Sequence, residues 1–441
     1  MQYFRTIWLL IWIGNFLIIS CQPLPNQAKE KQPSRVVLGS EILLTQKLDI
    51  LKNKRVALVA NATSVVFDSI HLVDALLEKK VNLVRIFAPE HGFRTDVDME
   101  ATVVNHTDTK TGLPIVSLYG KIKKPTYEHL ADVDIVLFDI QDVGTRFYTY
   151  LTTMCYVMEA CAEFGKEIII MDRPNPNGYY VAGPILDSSL TSFVGLHPVP
   201  IVHGMTLGEY ARMVNGEKWL AGGRVAKLQV ILCQGYRHKL RWQETGRTWI
   251  PPSPNLKTPE AAAWYPVLCW YEGTIVSVGR GTEKPFEQIG FPQHVGFHRA
   301  YQRDSALKEK THFSINGVNL EITTFTPKRM PNASYEPPCL NQLCYGVRFI
   351  DLQPPDTGLF RFGLQLLFNC YHEYREFYKK YDQYYEPPVS FFNSYFQRLA
   401  GDTTLQESVL NQKNPEEIYN RWERDARTFK KTRLNYLLYP D

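Results

Sequence analysis

Apolar residues fall along this chain in two alternating patterns. Short, nearly continuous apolar runs recur at Arg55–Ala60, Val81–Ala88, Pro114–Leu118, Asp134–Ile140 and Glu167–Met171. Runs of that length predict strands buried on both faces, as in a parallel sheet. Between them lie stretches of helical period. Asp68–Lys80 puts Ile70, Val73, Leu76 and Leu77 on one face, and Pro125–Ala131 and Arg146–Phe164 follow the later strands. This alternation predicts an α/β fold with a Rossmann-like parallel sheet. Thr206 with Glu209 three residues on is a capping-box pattern, which makes Glu209 structural, while His203 just before it is either a satisfied loop histidine or a cleft residue. The Pro-rich run Trp249–Leu256 marks a crossing between domains. Beyond it, Gly346–Asp351 reads as a strand, and Gly358–Tyr374 and Pro415–Leu438 as helices. The expected division is therefore a catalytic domain over 36–250 and a second, smaller α/β domain over 251–441, with a cleft between them.

Polar residues sharpen that picture. Asn61, Glu90, His91, Tyr119, Gln141, Asp142, Arg173 and Asn175 each follow the carboxyl end of a strand, so the topology gathers them at one edge of the sheet, where open α/β sheets bind ligands. The densest group is Pro89-Glu90-His91-Gly92-Phe93-Arg94. Pro89 ends the ladder for want of an N–H, and Gly92 permits a tight path. No Gly-x-Gly-x-x-Gly follows the first strand, and no phosphate loop, Gly-x-Ser-x-Gly elbow or His-Glu-x-x-His is present. A cofactor is therefore not expected. Net charge is only +4, too little for a nucleic-acid footprint. The 25 tyrosines and an aromatic share of 13% hint at carbohydrate, since aromatic faces stack on sugar rings.

The first residues stand apart. Arg5 precedes an apolar run, Ile7–Ile19, too short for a comfortable membrane span and suited to a signal sequence. Ser20-Cys21 after it resembles a bacterial lipoprotein processing site. A signal over 1–21, lipidation at Cys21, a tether over 22–35 and an exported, periplasmic, membrane-anchored protein are the expectation. Of the seven remaining cysteines, Cys339 and Cys344 are spaced to bridge a local loop. Cys155 and Cys161 read as core residues.

Two carboxylates across a cleft can hydrolyse a glycoside. Glu90 is the candidate proton donor, with an apolar strand and a proline to desolvate it and raise its pKa. His91 or Arg94 would orient it or bind a substrate carboxylate. Candidates for the second carboxylate are Asp142, Asp139, Glu283, Asp96 and Asp98. The residues Ala88–Arg94, Phe138–Tyr150, Asp172–Gly178 and Gly279–Phe286 resemble four motifs of the YbbC/NamZ family of exo-β-N-acetylmuramidases, over nearly all of 36–441. The resemblance implies release of terminal N-acetylmuramic acid from the non-reducing end of peptidoglycan-derived disaccharides or short glycans, with Glu90 as the catalytic glutamate. Such a substrate carries a lactyl carboxylate, for which Arg94, Arg146, Arg173 and Arg280 are candidate partners. Arg146 would open a helix against its dipole, a placement that a binding role explains. Tyr148 and Tyr150 would point in opposite directions, with at most one facing the sugar. Asn61, Asp139, Gln141, Asn175 and Asn255 complete the expected lining. The rival readings are a non-catalytic sugar-binding lipoprotein that feeds a transporter, and a metal-dependent amidase using His91, Asp98, His106 and Asp108.

Overall fold

The computed structural model describes residues 35–94, 106–292, 312–315, 317–351, 358–381 and 390–441. The signal-like segment, Cys21, Asp96 and Asp98 lie outside them. The first domain is built on seven strands: β1 (Val56–Ala60), β2 (Leu83–Ala88), β3 (His106–Thr107), β4 (Pro114–Ser117), β5 (Ile135–Asp139), β6 (Glu167–Met171) and β7 (Lys227–Ile231). Their order is β7-β6-β5-β1-β2-β4-β3. All neighbours pair in parallel except the edge pair β3–β4. The five predicted strands are all present. Sequence reading did not find β7, because the burial of Lys227–Ile231 is partial and its apolar run is broken by lysine and glutamine.

Every residue of β1 and β5 is buried, which is why both read as unbroken apolar runs. The chain builds outward from β1 through β2 to β4, then returns to the other side of β1 for β5, β6 and β7. The order therefore reverses between β1 and β5. Such a reversal is where open α/β sheets form their crevice, and Glu90 and His91 at the carboxyl end of β2 line a cavity at this edge.

Helices form close to where the period placed them, at Leu72–Glu78, Tyr127–Leu130 and Thr149–Glu163. The third begins at Thr149 rather than Arg146. Tyr148 is its cap with extended backbone, so Arg146 is not at a helix N-terminus. The capping box at Thr206–Glu209 forms as expected, with the Thr206 hydroxyl accepting from Glu209 N.

The second domain carries an antiparallel four-stranded sheet: β8 (Gln288–Pro292), β9 (His312–Ile315), β10 (Val318–Phe325) and β11 (Cys344–Phe349), in the order β8-β11-β10-β9. Helices Pro259–Leu268 and Leu359–Tyr381 meet it through Trp264 and Phe362, whose rings pack on Phe349, while helix Pro415–Arg433 packs on Leu359–Tyr381 and on Ala182–Ile185 of the first domain. Much of the aromatic content is here and is interior: Trp264, Trp270, Trp422, Phe360 and Phe362 are fully buried. Among the described residues no helix is long and apolar enough to cross a membrane. All seven described cysteines are free thiols, Cys339 and Cys344 included.

Candidate active site

β2 ends where Pro89 interrupts the ladder. After Glu90, His91 and Gly92 both take left-handed backbone, φ 71° and 77°, and Gly92 N closes the turn on Pro89 O at 3.1 Å. Such a φ is ordinary for glycine but costly for histidine, and strain of this kind clusters at functional sites. The turn swings Glu90 and His91 into a cavity of about 240 Å³ lined also by Tyr148, Thr149, Asn255, Glu272, Arg280 and Tyr395. Both domains and the Pro-rich crossing supply its walls.

Three contacts fix Glu90. Thr149, the first residue of its helix, donates its hydroxyl to Oε2 at 2.6 Å. Tyr150 donates to the Glu90 carbonyl at 3.3 Å and to Pro252 O at 2.5 Å, joining the turn to the crossing. The Tyr119 hydroxyl also bonds the Glu90 side chain, and burial together with that carboxylate pushes its pKa up. Glu90 is thus half-buried in a hydrogen-bonded setting, not in the purely apolar one that the strand and proline alone predict. Beside it, burial lowers the pKa of His91, Glu90 acts against this, and Arg280 adds to it. Its Nδ1 is buried without a protein partner. Burial thus favours the neutral imidazole, which keeps a ring nitrogen for a ligand.

On the opposite wall, Arg280 lies between two glycines of left-handed backbone, Gly279 and Gly281. Its Nη1 donates to Glu272 Oε1 at 2.6 Å, while its Nε is buried and unpartnered. Glu272 was not found from sequence. It sits in a short 3-10 turn, Cys269–Gly273, and no spacing rule points such a turn at a cleft. Asn255 donates to Ala333 O at 2.7 Å and lines the cavity.

The other expected residues stand elsewhere, each for a visible reason. Glu283, expected as a second carboxylate, points outward: its side chain is 82% exposed and pairs with Lys257. Asp142, expected in the same role, is off the lining. Its Oδ1 accepts from Gly144 N at 2.6 Å, Oδ2 is buried and unpartnered, and burial pushes its pKa up to about 7. Arg146 is fully buried and donates to four carbonyls, Pro184, Val199, Leu399 and Ala400, at 2.7–3.1 Å. It joins the two domains and does not reach the cleft. Arg173 is held by both oxygens of Asp139 at 2.6 and 2.8 Å, so neither lines the cavity. Arg94 turns away to Asp74 and Asp108.

Three amides also serve the backbone rather than the cleft. Asn61 accepts from Thr63, Gln141 donates to Asp142 O and Pro174 O, and Asn175 donates to Met205 O. Tyr148 and Tyr150 do not point apart, because Tyr148 precedes the helix. Their rings meet edge to face at 4.9 Å, and Tyr148 alone faces the cavity. His203 is fully buried, with its Nδ1 accepting from Met205 N. Of the amidase set, Asp108 is engaged by Arg94 and Thr111, and no cluster of three or more ligating side chains occurs among the described residues.

A doubly wound sheet whose switch-point crevice is closed by a second domain, with a clamped glutamate opposite an arginine, defines a two-domain α/β enzyme. Comparison with known proteins makes this specific. The family descriptions "Exo-beta-N-acetylmuramidase NamZ, N-terminal" and "C-terminal" match residues 56–260 and 263–439. The chain belongs to the NamZ family of exo-β-N-acetylmuramidases. It is 36% identical to the peptidoglycan beta-N-acetylmuramidase NamZ of Bacillus subtilis (strain 168), over 98% of this chain and 97% of that one. Two crystal structures of DUF1343 family proteins from Bacteroides fragilis share the architecture. One is 41% identical with a TM-score of 0.75, covering 92% of this chain and 100% of its own. The other is 30% identical with a TM-score of 0.77, covering 92% and 99%.

Proposed function

We propose that this enzyme hydrolyses the β-glycosidic bond of a terminal N-acetylmuramic acid at the non-reducing end of peptidoglycan fragments, with Glu90 as the proton donor. One observation carries the reading. Glu90, clamped by Thr149, shares a single cavity with Arg280, whose Nε is free to donate. A muramic acid differs from the glucosamine beside it in a glycan by its lactyl carboxylate, and a guanidinium grips a carboxylate with directional, charge-assisted bonds. Glu272 orients that guanidinium through its bond to Nη1. A cavity of about 240 Å³ takes a single saccharide unit, which fits an exo mode of attack.

In the chemistry proposed, Glu90 transfers its proton to the glycosidic oxygen as the C1–O bond breaks. The leaving sugar departs with a hydroxyl. The hydroxyl of a water joins C1, and the water's remaining proton is taken up by a cleft carboxylate, Glu90 or Glu272. Thr149 and Tyr119 hold Glu90 in one rotamer, so that its proton is aimed rather than sampled. At its other end the chain carries Ile7–Ile19 followed by Ser20-Cys21, which supports export and a lipid anchor at Cys21. Anchoring would place the enzyme at the periplasmic face of a membrane, beside its polymer.

The test is hydrolysis of a chromogenic β-N-acetylmuramide beside the matching β-N-acetylglucosaminide. The muramide alone should be cleaved, and Glu90→Gln should lower kcat by about 10²–10⁴-fold, the usual contribution of a general acid. Binding of the muramide without turnover in both proteins would instead indicate a sugar-binding lipoprotein.

A further inference from the structure

A second basin, of about 430 Å³, adjoins the catalytic cavity through two shared walls, Val194 and Tyr395. Its other lining residues are Tyr119, Gly120, Lys123, Ser192, Phe193 and Arg398. Three features single it out. It holds two cations and no carboxylate, and neither Lys123 nor Arg398 has an ion pair among the described residues. Lys123 Nζ is steadied over the Phe193 ring at 4.5 Å from its centroid, which fixes the charge without neutralising it. Tyr119 and Tyr395 are about 40% exposed, although large aromatic side chains are usually covered, and Tyr119 bonds directly to Glu90. The basin therefore begins at the proton donor, on the side where a departing sugar would stand.

We propose that this basin is the leaving-group subsite and that it selects glycans whose next residues carry carboxylates. The proposal rests on the muramidase reading above. Tyr119, Tyr395 and Phe193 offer faces for the pyranose rings, and Lys123 and Arg398 attract the anionic groups hung from the following muramic acid. Those groups are either the lactyl carboxylate itself or the acidic residues of a stem peptide; both present a carboxylate, and experiment separates them. A neutral leaving group would use the aromatic faces only.

The experiment compares Lys123→Glu/Arg398→Glu with the wild type on three substrates. These are the chromogenic muramide, a tetrasaccharide whose second muramic acid lacks peptide, and the same tetrasaccharide bearing its stem peptide. The double variant should leave kcat/KM for the chromogenic substrate unchanged and lower it at least about 10-fold for one or both tetrasaccharides. Loss on both identifies the lactyl carboxylate, and loss on the peptide-bearing form alone identifies the peptide. An equal loss on all three substrates, or none on any, overturns the proposal. Calorimetric binding of the leaving product, the trisaccharide N-acetylglucosaminyl-N-acetylmuramyl-N-acetylglucosamine with and without peptide, needs no turnover. Failure of the chromogenic assay in the wild type would thus refute the muramidase reading, while weaker product binding by the double variant would still establish the subsite and unchanged binding would refute it.

Discussion

Thr149 shows how one hydroxyl bears on the chemistry. It donates to Glu90 Oε2 at 2.6 Å from the first turn of a helix whose cap, Tyr148, lines the same cavity. Thr149→Val keeps the shape and removes the donor. A hydrogen bond to a charged group contributes about 1.5–3 kcal/mol, so kcat should fall roughly 10- to 100-fold with Tm little changed. Steady-state kinetics beside a melting curve checks this. Asp142 makes a different prediction. Burial raises its pKa from the ordinary 3.8 to about 7, so the folded protein holds a proton that the unfolded chain releases earlier. The stability tied to that proton is fully present below about pH 4 and is lost as pH rises through about 7. Asp142→Asn should therefore melt like the wild type at pH 4 and higher than it at pH 8, while keeping the acceptor for Gly144 N. The reverse order of melting temperatures would show that Asp142 is ionised in the fold.

Single side chains also hold whole elements together. Arg146 gathers carbonyls from Pro184 and Val199 in the first domain and from Leu399 and Ala400 in the second. Burial lowers its pKa to about 9, still high enough to keep it charged at neutral pH. Gly401 takes φ 72° and its added Cβ would lie 2.2 Å from Arg146 Nη2, so the glycine is needed for both backbone and space. Arg146→Met would strand four buried acceptors and should cost at least about 3 kcal/mol, read as a lowered denaturation midpoint. The Thr206 cap is worth less. Thr206→Ala should cost about 1 kcal/mol from the lost cap, and more through its bond to Asp172 Oδ2.

At the scale of the whole molecule the two domains share one core. A continuous apolar cluster runs from Val59 and Phe87 in the first sheet to Trp270, Phe360 and Trp422 in the second domain. The chain then ends back on the first domain. Leu438 N and Tyr439 N donate to Glu209, Tyr439 Oη donates to Asp172, and His238 N donates to Pro440 O. A cleft walled by both domains is thereby held at fixed width. Heat unfolding should be a single transition with equal calorimetric and van't Hoff enthalpies, and a chain ending at Leu437 should melt earlier. Two resolved transitions would show that the domains fold independently.

The positions of the main strands and helices, and the turn that delivers Glu90 and His91, were legible in the sequence because they depend on local terms. Those terms are apolar period, a proline that cannot donate, and a glycine beside a strained residue. The sequence also determined that polar residues gather at the carboxyl edge of the sheet, and its four motifs carried the family. It did not determine which of them face the cavity. Arg146 and Arg173 looked as available as Arg280, yet each is claimed by partners distant in the chain: Leu399 and Ala400 for one, Asp139 for the other. Glu272, which no sequence pattern singled out, lines the cleft where Glu283 was expected, because left-handed glycines aim Arg280 inward, toward a carboxylate that only the folded chain brings there. An ionisable group's chemistry depends on what surrounds it in space, and it is the folded surroundings that satisfy some of these charges and leave others for a substrate.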